Sequence, residues 1–163
     1  MMELDKIKVV ISEVDGVITE GLVGLGEMDL TMFKQFYMKD FEAINLIKRE
    51  WKFAFLSSDA AVSMSLCRKR NIPFYHAERS KMELYKRITQ RFSITPDNVL
   101  YVGSSYSDIE CMRASGVTMC PEDAVPQVKN TVDHVIPIYG GAGILCYVCE
   151  VLHGFKMRKN REE

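Results

Sequence analysis

Apolar and polar positions follow two alternating periods along the chain. Short runs of β-branched and aromatic residues predict strands, whereas apolar residues at helical spacing predict helices. The predicted strands cover residues 8–12, 53–56, 73–76, 99–102, 117–120 and 134–138. The predicted helices cover residues 41–50, 60–70, 81–92, 107–114, 124–130 and 142–153. Because strands and helices alternate, the pattern indicates an α/β fold with a mainly parallel sheet in a three-layer arrangement.

Residues 20–38 interrupt this alternation directly after the first strand. Three glycines come first and bulky apolar residues follow, a pattern typical of a β-hairpin. Such a hairpin would form a flap over the end of the sheet. Its apolar residues are Met28, Leu30, Met32, Phe33 and Phe36. These side chains pack either on the protein's own core or against another subunit, and the sequence favours neither.

Length and composition suit one globular domain, predicted over residues 1–155, with a charged C-terminal tail at residues 156–163 that we expect to be solvated. The formal net charge of −1 argues against a broad nucleic-acid surface. No apolar stretch is long enough for a membrane span, and the N-terminus lacks a signal-peptide pattern. We therefore expect a cytoplasmic protein.

The five cysteines support the same compartment. An odd number of thiols without a secretion signal predicts reduced cysteines. Cys146 and Cys149 have the spacing of a redox or zinc pair, but they lie in an apolar helical run and lack a second pair of ligands. The sequence therefore favours two small core residues at these positions.

Polar side chains follow successive predicted strands, where open α/β sheets build their sites. The candidates are Glu13, Asp15, Ser57, Ser58, Lys81, Ser104 and Asp108. Phosphoryl transfer through a carboxylate needs such a set. One acid serves as the nucleophile, a second as the general acid and base, and hydroxyl and ammonium groups hold phosphate oxygens. Further acids help to bind Mg²⁺.

This ordered set resembles the haloacid dehalogenase superfamily of phosphohydrolases. More narrowly, it is similar to 3-deoxy-octulosonate 8-phosphate phosphatases and related nonulosonate 9-phosphate phosphatases. The likeness covers nearly the whole chain, including the flap and residues 38–40 and 140–143. Around residues 103–111, the chain is also similar to the C-terminal domain of animal CMP-sialic acid synthetases. The resemblance implies a Rossmann-like fold and Mg²⁺ as the cofactor.

The resemblance also implies partners and residue roles. It implies a homotetramer built through the flap, a sugar-acid or phosphate ligand, and a nucleotide-sugar synthetase as a partner. It places the nucleophile at Glu13 and the acid/base at Asp15. It places phosphate binding at Ser57, Ser58 and Lys81. The implied metal-site residues are Glu13, Asp15, Ser104 and Asp108.

Three departures from the family pattern change this picture. The family has Asp where this chain has Glu13, and the extra methylene moves the carboxylate by roughly 1 Å, a misplacement that can cost about 100-fold in rate. Two acids of the family are Ser104 and Ser105 here, so the metal site loses charge. Cys146 stands where the family has an Arg that could clamp an anion.

These departures favour a weak or inactive phosphatase that serves as an oligomerisation or regulatory module. The alternative is an active Mg²⁺-dependent sugar-acid phosphate phosphatase that uses Glu13 or Asp15. A third hypothesis is a binding protein that keeps the pocket without turnover.

The retained residues also have structural interpretations. Asp15 could be a turn residue, and Ser57 and Ser58 could be helix N-caps. Lys81 could lie on the surface of its helix. Asp108 could be an acid in the first turn of a helix, where the helix dipole favours negative charge.

Overall fold

The computed structural model describes residues 3–29 and 31–162 and has the predicted α/β architecture. The strands are β1 (Val9–Ser12), β2 (Gly24–Leu25), β3 (Thr31–Phe33), β4 (Lys52–Ser57), β5 (Phe74–His76), β6 (Val99–Val102), β7 (Val117–Pro121) and β8 (His134–Ile136). The helices are α1 (Met38–Ile47), α2 (Ala61–Lys69), α3 (Lys81–Phe92), α4 (Ile109–Ala114), α5 (Pro126–Lys129) and α6 (Ile144–Glu162). Most differences from the predicted boundaries are one to three residues at element ends.

The main sheet has six strands in the order β5-β4-β1-β6-β7-β8, and all its pairs are parallel. β1 lies near its centre, where Ser12 is in register with Phe55 on one side and Val102 on the other. Parallel strands end at the same edge, so the segments that follow β1, β4 and β6 meet there. This register brings the predicted site residues to one place.

Helices cover both faces of the sheet. Val10 of β1 belongs to a core cluster that includes Phe41 of α1 and Leu145 of α6. Its neighbour Ile11 points the other way, into a second cluster that includes Tyr85 of α3. Successive residues of β1 are thus buried on opposite faces of the sheet. The three-layer packing therefore explains why residues 9–11 are all apolar.

The predicted flap is a hairpin of β2 and β3, which pair in antiparallel fashion. Its apolar residues behave in two ways. Phe36 packs against the core, with its ring 5.9 Å from that of Phe41. Met28, Met32 and Phe33 are 85%, 66% and 60% exposed. Leu30 lies outside the described residues. The flap therefore anchors one side chain in the core and presents others to solvent.

The C-terminal helix is longer than predicted. α6 continues through the residues assigned to a charged tail and ends at Glu162. No proline interrupts the segment, and its lysines, arginines and glutamate favour helix. Lys156 also forms an ion pair with Glu50, beyond the end of α1. The side chains of residues 156–158 are exposed.

The thiols fit the core interpretation. Cys149 is buried in the cluster between α6 and the sheet, and Cys146 packs against the same cluster. Across residues 3–29 and 31–162, none of the helices is both long enough and apolar enough to cross a membrane.

Candidate active site

A pocket of about 440 Å³ opens at the edge of the sheet where β1, β4 and β6 end. Five of the seven predicted site residues line it, namely Glu13, Asp15, Ser57, Ser58 and Ser104. The other two, Lys81 and Asp108, are buried and in contact with each other. Lys81 also contacts Glu13. The structure therefore brings all seven together.

Glu13 lies directly after β1 and is only 4% exposed. Its Oε1 accepts a hydrogen bond from the backbone N–H of Val14 at 2.7 Å. Its Oε2 is paired with the Lys81 ammonium. The longer side chain thus folds back on its own backbone, and both carboxylate oxygens have protein partners.

Lys81 is the first residue of α3, which Ser80 caps by accepting a hydrogen bond from the Glu83 N–H at 3.3 Å. The Lys81 side chain is 2% exposed and lies between two acids. Its Nζ is 2.7 Å from Oδ1 of Asp108. The interpretation of Lys81 as a surface lysine is therefore wrong, because its charge is buried and paired.

Asp108 accepts five hydrogen bonds from the protein. Lys81 Nζ and the Tyr101 hydroxyl donate to Oδ1 at 2.7 and 2.9 Å. The backbone N–H groups of Ser104 and Ser105, with the Ser105 hydroxyl, donate to Oδ2 at 3.0 Å. Asp108 thus closes the turn before α4 and also belongs to the site cluster. Burial and then the adjacent charge of Asp108 raise the pKa of Tyr101 well above its ordinary value, which keeps the phenol a donor.

A second lysine, which the sequence analysis missed, pairs with Asp15. Asp15 accepts from Thr19 Oγ1 at 3.2 Å and lies 2.7 Å from Lys34 Nζ. Lys34 follows β3 of the flap, and its side chain is fully buried. Its Nζ also lies 3.0 Å from Asp59 and 3.4 Å from the Ser63 hydroxyl. The available signal was a lone lysine within an apolar stretch of the flap.

Ser57 and Ser58 do not cap the next helix. The N-cap of α2 is Ala60, and its side chain makes no capping bond. Ser57 is 1% exposed, and among the described residues its hydroxyl makes only long contacts of 3.4 Å, with the backbone of Asp59. Ser58 is exposed at the pocket. Both residues therefore line the pocket instead of capping α2.

Cys146, which stands where the family that this chain resembles has Arg, lies beside a buried acid, Asp40. Asp40 is fully buried, and its Oδ1 accepts from the N–H groups of Leu145 and Cys146 at 2.9 and 3.1 Å. Its Oδ2 is buried without a hydrogen-bond partner among the described residues. Burial raises the pKa of Asp40 to about 6. Burial, followed by the charge of Asp40, raises the pKa of the Cys146 thiol to about 11.

The pocket wall is acidic. Five carboxylates line it, and among the described lining residues there is no lysine or arginine. They belong to Glu13, Asp15, Glu20, Asp59 and Asp123. The two buried lysines compensate three of them from beneath the surface. A phosphate group entering this pocket meets more negative than positive charge at close range.

The four predicted metal-site residues lie together, but their arrangement does not fit Mg²⁺. The five bonds to Asp108 exceed the roughly four lone-pair positions of a carboxylate. The Asp15 carbonyl accepts from Ser104 Oγ at 3.2 Å, and an ammonium lies between Glu13 and Asp108. Mg²⁺ needs near-octahedral oxygen ligands. Within the described ranges, no group of three or more His, Cys, Asp and Glu residues is arranged to hold a metal ion.

Comparison with known proteins gives a consistent family. The sequence model of the haloacid dehalogenase-like hydrolases matches residues 26–147. The 3-deoxy-D-manno-octulosonate 8-phosphate phosphatase KdsC of Escherichia coli is 27% identical over 163 residues, which cover 93% of this chain and 82% of that protein. The corresponding protein of Haemophilus influenzae is 25% identical over 154 residues, covering 86% of this chain and 79% of its own length.

Solved structures agree with the sequence relatives. The cobalt-bound phosphatase of Haemophilus influenzae superposes with a TM-score of 0.85 and 26% identity, over 91% of this chain and 88% of that one. The Moraxella catarrhalis phosphatase, solved with a magnesium ion, a phosphate ion and KDO, has a TM-score of 0.85 and 18% identity, over 98% and 95% of the two chains, and supports the fold alone. The chain therefore belongs to the haloacid dehalogenase-like hydrolase family.

Proposed function

We propose that this protein is of the keto-sugar-acid phosphate phosphatase type, with a degenerate site that is weak or inactive in catalysis. We further propose that it serves as an oligomerisation or regulatory module. The observation that carries the first proposal is the engagement of Glu13 and Asp108. All four of their carboxylate oxygens accept hydrogen bonds from the protein itself. Two of these bonds come from the Lys81 ammonium and two from backbone N–H groups.

Nucleophilic attack would require a Glu13 oxygen to reach phosphorus in line with the leaving group. Both oxygens are held, one by the adjacent amide of Val14 and one by Lys81. Asp15, the proposed acid and base, is similarly held by Thr19 and Lys34. Breaking these contacts adds to the barrier, most of all at Glu13, which is buried and cannot regain full hydration.

The substrate class comes from the relatives named above. Their common substrate is a keto-sugar-acid phosphate, so residual turnover in this chain is expected for octulosonate or nonulosonate phosphates. Ser57, Ser58 and Lys81 are the groups proposed to hold the phosphate oxygens. The net acidic wall opposes that binding, which supports weak activity.

A phosphatase assay tests the proposal against its alternative, an active Mg²⁺-dependent enzyme that uses Glu13 or Asp15. Purified protein is assayed with an aryl phosphate and with keto-sugar-acid phosphates, with and without Mg²⁺. We expect the double variant Glu13→Asp/Ser104→Asp to exceed the unmodified chain by about 100-fold, the typical cost of a 1 Å misplacement. Strong Mg²⁺-dependent turnover by the unmodified chain, abolished by Asp15→Asn, would instead establish the alternative.

The proposed assembly role is supported by the exposed apolar side chains of the flap. Leu22, Leu25, Met28, Met32 and Phe33 are all more than half exposed. Exposed apolar groups concentrated on one short segment are typical of a protein–protein interface. A second copy of this chain is the proposed occupant, in a homotetramer. A nucleotide-sugar synthetase stays a predicted further partner.

Light scattering at micromolar concentration measures the assembly directly. We expect Met32→Glu to shift the protein towards smaller species, because a charge at the interface must be desolvated. Met157→Glu is the matched control, since Met157 is 61% exposed, close to the 66% of Met32, but lies on α6. A monomeric unmodified protein, or equal effects of the two substitutions, would contradict assembly through the flap.

A further inference from the structure

Ser104 links the ends of two central strands. It lies just beyond β6, and its hydroxyl donates to the carbonyl of Asp15, beyond β1, at 3.2 Å. Its backbone N–H donates to Oδ2 of Asp108 at 3.0 Å. Its own carbonyl accepts from the Val125 N–H at 3.0 Å. One residue thus ties together Asp15 and Asp108, which are both among the implied metal-site residues.

The surroundings leave little freedom for this hydroxyl. A Cβ atom at Gly16 would lie only 2.4 Å from Ser104 Oγ, so the absent side chain of Gly16 provides the space. Gly16 also has a φ of 78°, a conformation that other residues rarely adopt. The hydroxyl is therefore enclosed against the Asp15–Gly16 turn.

A cation is already supplied by the chain. The Lys81 ammonium contacts both Glu13 and Asp108, and it is buried with them. A divalent ion placed beside the same two acids faces this ammonium at short range, so it needs a further carboxylate, which Ser104 does not supply, to be held there. The acid charge is thus compensated without an external ion.

We infer that Ser104 replaces a bound cation as the link between the ends of β1 and β6, so that the site keeps its shape without Mg²⁺. This inference deepens the proposed function and rests on it in one respect, namely that the site no longer carries out metal-dependent catalysis. Its test measures metal binding rather than turnover. A failed binding test and a failed activity test can therefore be told apart.

The experiment compares thermal unfolding in EDTA and in Mg²⁺, with Mn²⁺ binding followed by electron paramagnetic resonance. We expect no saturable binding by the unmodified chain and a melting temperature that is the same in both solutions. Ser104→Asp, alone or with Glu13→Asp, is expected to bind both ions. At an ion concentration about 100 times the Kd, its melting temperature should rise by about 5–10 °C.

Two further variants make the result specific. Ser107→Asp adds the same charge at the rim of the same pocket, and it should gain no binding. Ser104→Ala removes the donor to Asp15, and in EDTA it should lower the melting temperature by about 2–4 °C. Saturable Mn²⁺ binding by the unmodified chain would overturn the inference. The inference would also be overturned if both Ser104→Asp and Glu13→Asp/Ser104→Asp are folded and yet bind these ions no more tightly than Ser107→Asp does.

Discussion

Two buried lysines lie beneath the same pocket, and each bridges two carboxylates. Lys81 pairs with Glu13 and Asp108, whose side chains are 5% and 0% exposed. Lys34 pairs with Asp15 and Asp59, whose side chains are 25% and 37% exposed. The chemistry of the two clusters is the same, but only the acids of Lys34 can exchange their partner for water.

This difference separates two kinds of buried ion pair. Removal of a cation from a closed cluster leaves uncompensated charge in a medium of low polarity, which is strongly destabilising. Removal of a cation from an open cluster leaves acids that water can solvate, so the loss is smaller. The Lys81 cluster is therefore expected to hold the fold together, and the Lys34 cluster to hold the flap against the site.

The largest effect is expected for Lys81→Met. It should reduce the free energy of unfolding by about 3–5 kcal/mol, because Glu13 and Asp108 both lose the buried cation that pairs with them. Urea unfolding at pH 7 measures the change. Lys86→Met, at an exposed position of the same helix, should stay within about 0.5 kcal/mol of the unmodified protein.

A double variant separates lost charge from lost packing. Glu13→Gln should restore part of the stability of Lys81→Met, because it removes one uncompensated acid. If Glu13→Gln is equally destabilising with and without Lys81, charge pairing is not what this cluster contributes.

Asp40 sharpens the comparison because it is a buried acid held by backbone N–H groups rather than by an ammonium. Its pKa is raised from 3.8 to about 6 by burial. A raised carboxyl pKa means that the folded protein binds the proton more tightly than the unfolded chain. Asp40 therefore contributes most to the free energy of unfolding below about pH 4. This contribution falls by about 3 kcal/mol in total as the pH rises through the folded-state pKa of about 6.

Asp40→Asn should flatten this part of the pH profile. The amide oxygen can still accept from Leu145 and Cys146, and the NH₂ group takes the place of Oδ2, which has no hydrogen-bond partner among the described residues. Urea unfolding between pH 4 and 8 measures the difference. Glu42→Gln, at an exposed position of the same helix, is the control. A profile for Asp40→Asn parallel to that of the unmodified protein would show that Asp40 does not titrate in this window.

The two lysine clusters also show why part of the site was predictable. Glu13, Asp15 and Asp108 lie within a few residues of apolar strands, and Lys81 begins a helix with strong amphipathic periodicity. Parallel strands carry such residues to one edge, so short sequence patterns were sufficient. The resemblance supplied their predicted roles.

Lys34 was missed because its partners depend on the folded flap. It is 19 residues from Asp15, and its contact with Asp59 requires β3 to lie beside the end of β4. The hairpin and its place over the end of the sheet were predictable, but which of its side chains would meet Asp15 and Asp59 was not. The end of α6 was missed for a different reason, since charged residues that favour helix also suit a solvated tail.

Lys34→Met should cost about 1–2 kcal/mol in the free energy of unfolding, less than Lys81→Met, because Asp15 and Asp59 can be hydrated. It should also increase amide hydrogen exchange in β2 and β3, since the ammonium joins the flap to the strand ends. Lys39→Met, at an exposed position, is the control. Unchanged exchange in the flap would contradict the proposed anchoring role of Lys34.

The smallest effect is expected for Ser80→Ala, which tests how Lys81 is positioned. Ser80 caps α3 through a long bond of 3.3 Å from the Glu83 N–H, so its loss should cost about 0.5–1 kcal/mol, the lower part of the range for N-caps. Ser65→Ala, at an exposed site inside α2, should not destabilise the protein. If Ser80→Ala and Lys81→Met are additive, the cap acts on the helix alone. A coupling above about 0.5 kcal/mol would instead show that the cap also holds Lys81 between its two acids.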